Sequence, residues 1–127
     1  MTETVVIVED NPMNMKLLEQ ALSIAGYATV KSADGEGLVD LTAEARAALI
    51  LMDIQLPKQS GVDLLKLLKG DARTKAVPVV AVTAFADPDS VAGFLREGFD
   101  QVITKPISIR KLLAEVARYC GAETTVN

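Results

Sequence analysis

Short runs of aliphatic residues alternate along the chain with longer stretches whose apolar positions recur every three or four residues. Val5-Val6-Ile7-Val8 is the first run, continuous rather than alternating, as expected of a strand covered on both faces. Leu17, Leu18, Ala21, Leu22 and Ala25 then follow helical spacing, and Gly26 is a stop signal. Ala28 to Ser32 predicts a second, weaker strand. Leu38, Leu41 and Ala45 mark a short helix before the third apolar run, Ala48-Leu49-Ile50-Leu51-Met52. Pro57 opens a loop, and Ser60 with Asp63 forms a capping-box variant starting a Leu-rich helix that ends near Lys69. Val77 to Val82 predicts the fourth strand, with Pro78 near its start, where a missing N–H is tolerated. Asp87-Pro88 is an N-cap and first-turn pair, with Val91, Phe94 and Leu95 facing inward. Gln101 to Thr104 predicts the last strand. Ile109, Leu112, Leu113, Val116, Ala117 and Cys120 predict the last helix, with Ser108 as its N-cap. Residues 122–127 carry no pattern and are expected to form a flexible tail.

Five strands alternating with five helices imply an α/β domain with a parallel sheet and helices on both faces. At 127 residues the chain has the size of one domain. Half of it is hydrophobic, enough for a packed core. With aromatics at only 4%, that core must come from Val, Leu, Ile and Ala. The charge balance, 13 basic against 17 acidic side chains, argues against a nucleic-acid reader. The chain has no His and one Cys, which excludes a Ser-His-Asp triad, a Cys-His pair, a His-based zinc site and an internal disulfide. No segment approaches the ~18 apolar residues of a membrane span. The opening Met1-Thr2-Glu3-Thr4 lacks the basic and apolar regions of a secretion signal, so the expected location is the cytoplasm.

In open α/β sheets ligands sit beyond the carboxyl ends of the strands, where strand order reverses. That rule selects Glu9 and Asp10 after the first strand, Asp53 after the third, Thr83 after the fourth, and Lys105-Pro106 after the fifth. If the first and third strands are neighbours, the carboxylates lie within roughly 6 Å. Each ionised pair then repels by about 3 kcal/mol at an effective dielectric of about 20. A divalent cation together with Lys105 would neutralise three acids. All-oxygen ligation with room for waters favours Mg²⁺. Such an ion, beside a hydroxyl and an ammonium, is a receptacle for a phosphoryl group, and a carboxylate within it can be the nucleophile.

Val-Glu-Asp-Asn at 8–11, Leu-Met-Asp-Ile-Gln-Leu-Pro at 51–57, Val-Thr-Ala-Phe at 82–85 and Lys-Pro at 105–106 resemble response-regulator receiver domains of two-component signalling. The resemblance covers about residues 3–121 and implies a receiver domain over 1–121, and the wording of residues 10–16 and 78–86 is similar to single-domain cell-cycle regulators of that family. It implies a doubly wound, flavodoxin-like sheet of order 2-1-3-4-5. It also implies Asp53 as phosphoacceptor, Asp10 as a direct Mg²⁺ ligand, Glu9 as a ligand acting through metal-bound water, and the Gln55 carbonyl as a further ligand. Lys105 would bind a phosphoryl oxygen, preceding a cis Pro106, and Thr83 would be the switch hydroxyl. The family often has an aromatic residue three positions before the lysine; here Val102 stands there. The implied partners are a histidine kinase or phosphotransfer protein and a downstream protein, with no DNA-binding output. The implied state is a monomer or a weak phosphorylation-linked dimer.

Other residues have plainer readings. Phe85, Met13 and Met15 are read as packing or gap-filling, and Cys120, on the last apolar stripe, as a buried inert thiol. The chain is expected to be a switch rather than an enzyme. A haloacid-dehalogenase-type phosphatase would need a second Asp two positions after its nucleophile, where this chain has Gln55, which cannot act as a general acid. A pseudo-receiver, keeping the fold without phosphoryl chemistry, would differ by lacking Mg²⁺ affinity.

Overall fold

In a computed structural model that describes residues 2–120, the chain forms β1 (Thr4–Val8), α1 (Pro12–Ile24), β2 (Ala28–Ser32), α2 (Leu38–Ala45), β3 (Leu49–Asp53), α3 (Gly61–Lys69), β4 (Val79–Thr83), α4 (Pro88–Glu97), β5 (Gln101–Thr104) and α5 (Ile109–Cys120). The strands form one parallel sheet in the order β2-β1-β3-β4-β5. The expected fold is therefore present. The tail expected at 122–127 lies outside the described residues.

Successive strand side chains point to opposite faces, so each apolar run serves two cores. Val5, Ile7, Leu49, Leu51, Val80 and Val82 pack with Leu18 and Leu22 of α1 and Leu112, Val116 and Cys120 of α5. Val6, Val8, Ile50, Met52, Val79 and Ala81 pack with Leu38 of α2, Leu64, Leu65 and Leu68 of α3, and Phe99. This explains why the central runs are continuously aliphatic.

The predicted caps form. Ser60 Oγ accepts from the Asp63 amide at 3.1 Å, the Asp87 carboxylate accepts from the Ser90 amide at 2.9 Å, and Ser108 Oγ accepts from the Lys111 amide at 3.4 Å. Thr42, on α2, is buried with a hydroxyl that has no hydrogen-bond partner.

Four expectations need correction. The fourth strand starts at Val79, not Val77: Pro78 has no N–H, so although its carbonyl accepts from Ile50 at 3.0 Å, the ladder proper begins one residue later. Leu95 is exposed, because Phe94 takes the inward position, edge-on to Phe99 with ring centroids 6.2 Å apart. The next residue is turned by about 100° on a helix. Met13 is 81% exposed in the first turn of α1, whereas Met15 does pack against the core. Phe85 is also exposed, since it lies in the loop between β4 and α4, outside the layers.

One glycine has a strict steric role. A Cβ on Gly61, at the start of α3, would stand 2.9 Å from the Asp53 carbonyl oxygen and 3.0 Å from Ile54 Cα, both backbone atoms. The Gly61 amide also donates to the Ile54 carbonyl at 2.9 Å. Gly61→Ala is expected to lower stability by about 1–3 kcal/mol, measured by urea denaturation, because neither backbone atom can move aside cheaply.

Candidate functional site

β1 lies between β2 and β3, so strand order reverses at the carboxyl ends of β1 and β3. Glu9 and Asp10 follow β1, and Asp53 is the last residue of β3, with Val8 paired to Met52 in register. Glu9 and Asp53 are buried and Asp10 is exposed. One carboxylate oxygen from each lies within 4.8 Å of the others. Lys105, just past β5, reaches into this group: its Nζ donates to Asp53 Oδ2 at 3.1 Å and lies 3.6 Å from Glu9 Oε1. The Lys105–Pro106 bond is cis.

Backbone amides hold the carboxylates from the other side. Asp53 Oδ1 accepts from the Gln55 amide at 3.0 Å, and Glu9 Oε2 accepts from the Asn11 amide at 3.1 Å. The Gln55 side chain is exposed, while its backbone bridges to Ser60. Thr83 is the last residue of β4, next to Val82, the register partner of Asp53. Thr83 is 1% exposed, and its Oγ1 accepts from the Phe85 amide at 3.0 Å, leaving the hydroxyl proton available to a ligand.

The three acids face one ammonium. Burial pushes Glu9 above the usual glutamate range; the Asn11 amide opposes this, the Asp53 charge adds to it, and Lys105 opposes it. Burial alone would lower Lys105, but its bond to Asp53 and the two nearby carboxylates outweigh that and raise it. Glu9 Oε1 is buried with no hydrogen-bond partner. A buried carboxylate oxygen that has an ion-pair partner but no hydrogen-bond donor, beside two more carboxylates and with no nitrogen or sulfur ligand among them, fits a hard divalent cation.

The Glu9 shift has a testable sign. Its pKa is higher folded than unfolded, so the folded state binds the extra proton. Its contribution to stability is complete below the unfolded value and is lost as pH rises through the folded value. Without divalent ions, wild type is expected to lose stability relative to Glu9→Gln as pH rises from about 4 to 7. Denaturant titration of both proteins across that range checks this.

Residues 5–117 match the response regulator receiver domain. The polar-differentiation response regulator DivK of Brucella ovis is 41% identical over 121 residues, covering 95% of this chain and 98% of the relative. The chain belongs to the response-regulator receiver family. The DivK of Brucella anthropi gives the same figures. Among solved receivers, that of the Pseudomonas aeruginosa sensor histidine kinase PA1611, with magnesium coordinated in its active-site cleft, superposes with a TM-score of 0.85 at 29% identity. The match covers 95% of this chain and 99% of that one. The Vibrio cholerae chemotaxis protein CheY4 shares the fold, with a TM-score of 0.86 at 23% identity over 94% of this chain and 99% of that one.

Within this receiver, Glu9, Asp10, Asp53 and Lys105 converge, Gln55 touches them through its backbone amide rather than the expected carbonyl, and Thr83 sits on the adjoining strand. Two contributors escaped the sequence reading. Asn11 supplies the amide that holds Glu9, and Gly61 admits α3 against the Asp53 backbone. An Asn-Pro pair immediately after two acids at a strand end was the available signal for the first.

Proposed function

We propose that this receiver is a phosphoacceptor, with Asp53 as the nucleophile and Mg²⁺ as its cofactor. The supporting observation is the buried Asp53 carboxylate, fixed between the Lys105 ammonium and the Gln55 amide, with Glu9 and Asp10 beside it. The donor is a phosphohistidine on a histidine kinase or phosphotransfer protein. An Asp53 oxygen attacks phosphorus, the P–N bond breaks, and its electron pair departs with the imidazole, which takes up a proton. Asp10, Asp53, the Gln55 carbonyl and, through water, Glu9 would hold Mg²⁺, which when bound neutralises charge on the phosphoryl oxygens. Lys105 binds one of those oxygens, and Thr83 donates its hydroxyl proton to another.

The chain acts as a switch in the cytoplasm, and its output is protein–protein contact. The added phosphoryl charge biases the surface around Thr83, β5 and α5. Met13, Leu17 and Ile24 of α1 are exposed, an apolar face on the helix that starts beside the site and suited to docking a partner helix. Incubation with Mg²⁺ and a small phosphodonor is expected to yield an acid-stable, base-labile phosphoprotein. A protein that takes up no phosphoryl group from any donor or kinase would refute the reading.

A further inference from the structure

Glu9 is unusual among the three acids in being almost fully buried while one of its oxygens has no hydrogen-bond partner. Two contacts hold that oxygen, Oε1, toward the shared space: the Lys105 ammonium 3.6 Å from it, and the hydrogen bond made by the other oxygen. Oε2 accepts from the Asn11 amide. The direction of that N–H depends on the backbone of residue 11, which is constrained from two sides. Asn11 is the N-cap of α1, with φ −80° and ψ 119°. Its Oδ1 accepts from the Met13 amide at 2.9 Å and the Asn14 amide at 3.0 Å, and its carbonyl accepts from the Met15 amide at 2.9 Å. Pro12, at the first helical position, independently keeps the preceding residue extended.

We infer that Asn11 is a positioning residue for the divalent-cation site, its side-chain cap locking the one amide that orients Glu9. The cap serves two ends: it satisfies the first turn of α1 and it presets a carboxylate before the ion arrives. Partners of this kind, which touch a ligating group and not the ion, commonly govern affinity as strongly as the ligands. This inference rests on the Mg²⁺ site proposed above.

The test separates cap stability from ligand orientation. Glycine is nearly as good an N-cap as asparagine, but it frees the backbone of residue 11. Serine keeps a capping oxygen. Mg²⁺ binding is measured by calorimetric titration on wild type, Asn11→Gly and Asn11→Ser. Asn11→Gly is expected to bind about tenfold more weakly and Asn11→Ser close to wild type. Pro12→Ala, which relaxes residue 11 from the other side while leaving the cap, is expected to shift affinity in the same direction as Asn11→Gly. Wild-type affinity in both Asn11→Gly and Pro12→Ala would overturn the inference, as would an equal loss in Asn11→Ser and Asn11→Gly. Absence of Mg²⁺ binding by wild type would instead overturn the proposed function beneath it.

Discussion

Asp53→Asn is expected to reduce phosphoryl labelling to background while leaving the fold intact. The carboxamide has nearly the shape of the carboxylate, and its oxygen can still accept from the Gln55 amide or from Lys105, which hold the two carboxylate oxygens now. What is lost is the anionic oxygen: an amide oxygen is a poor nucleophile toward phosphorus. The substitution also removes one of the three charges crowded within 4.8 Å, so affinity for the proposed Mg²⁺ is expected to fall with it. Intact-mass measurement after incubation with Mg²⁺ and a small phosphodonor reads the result directly. Asp53→Asn labelling as well as wild type would move the nucleophile elsewhere and remove the basis of the assignment.

Lys105→Met should cost stability as well as labelling, because it removes the only cation paired with Glu9 and Asp53 among the described residues. Two buried carboxylates then face each other uncompensated. Breaking a fully buried pair costs about 3–5 kcal/mol. The Lys105 side chain is 25% exposed, so solvent screening reduces the expected loss to about 1–3 kcal/mol. Glu9, already raised by burial, takes up a proton more readily in the variant, so the loss is larger at about pH 8 than at about pH 6. Added Mg²⁺ is expected to recover more stability in the variant than in wild type, since the ion replaces the missing positive charge. Phosphoryl transfer is expected to stay impaired even when the fold is restored, because the contact proposed for Lys105 with the incoming phosphoryl oxygen is gone. Thermal melts with and without Mg²⁺, paired with labelling, separate the two effects. Unchanged stability without divalent ions would show that the acids do not depend on this lysine.

The strand-end rule was the productive step from sequence to site. Continuous aliphatic runs located β1, β3 and β4. Taking the residues just beyond them, and beyond β5, selected Glu9, Asp10, Asp53, Thr83 and Lys105, of which the three acids and the lysine converge. Periodicity was weaker at showing how deeply a helix is seated. Leu95 fits the apolar pattern of α4 yet is exposed, because one residue's rotation places Phe94 inward instead. Composition also gave no hint of contacts made by the backbone. The Asn11 and Gln55 amides hold two carboxylates, but any residue other than proline carries such a group; the Asn-Pro pair points at most to a helix cap, and the loop geometry is what shows which carboxylate each amide meets. Gly61 is the reverse case: its meaning is a missing atom, which becomes visible only when α3 lies against the end of β3.

Among the helices of the described residues, α4 is the one with no fully buried side chain. The segment that contains it is tethered at one end to Thr83 and at the other to Lys105, both part of the site. Under the proposed switch, a tug on either anchor would fall on a stretch of chain that sacrifices little apolar contact by yielding. With the sheet fully packed behind it, chemistry at Asp53 of the kind proposed above would move a surface element rather than loosen the whole domain.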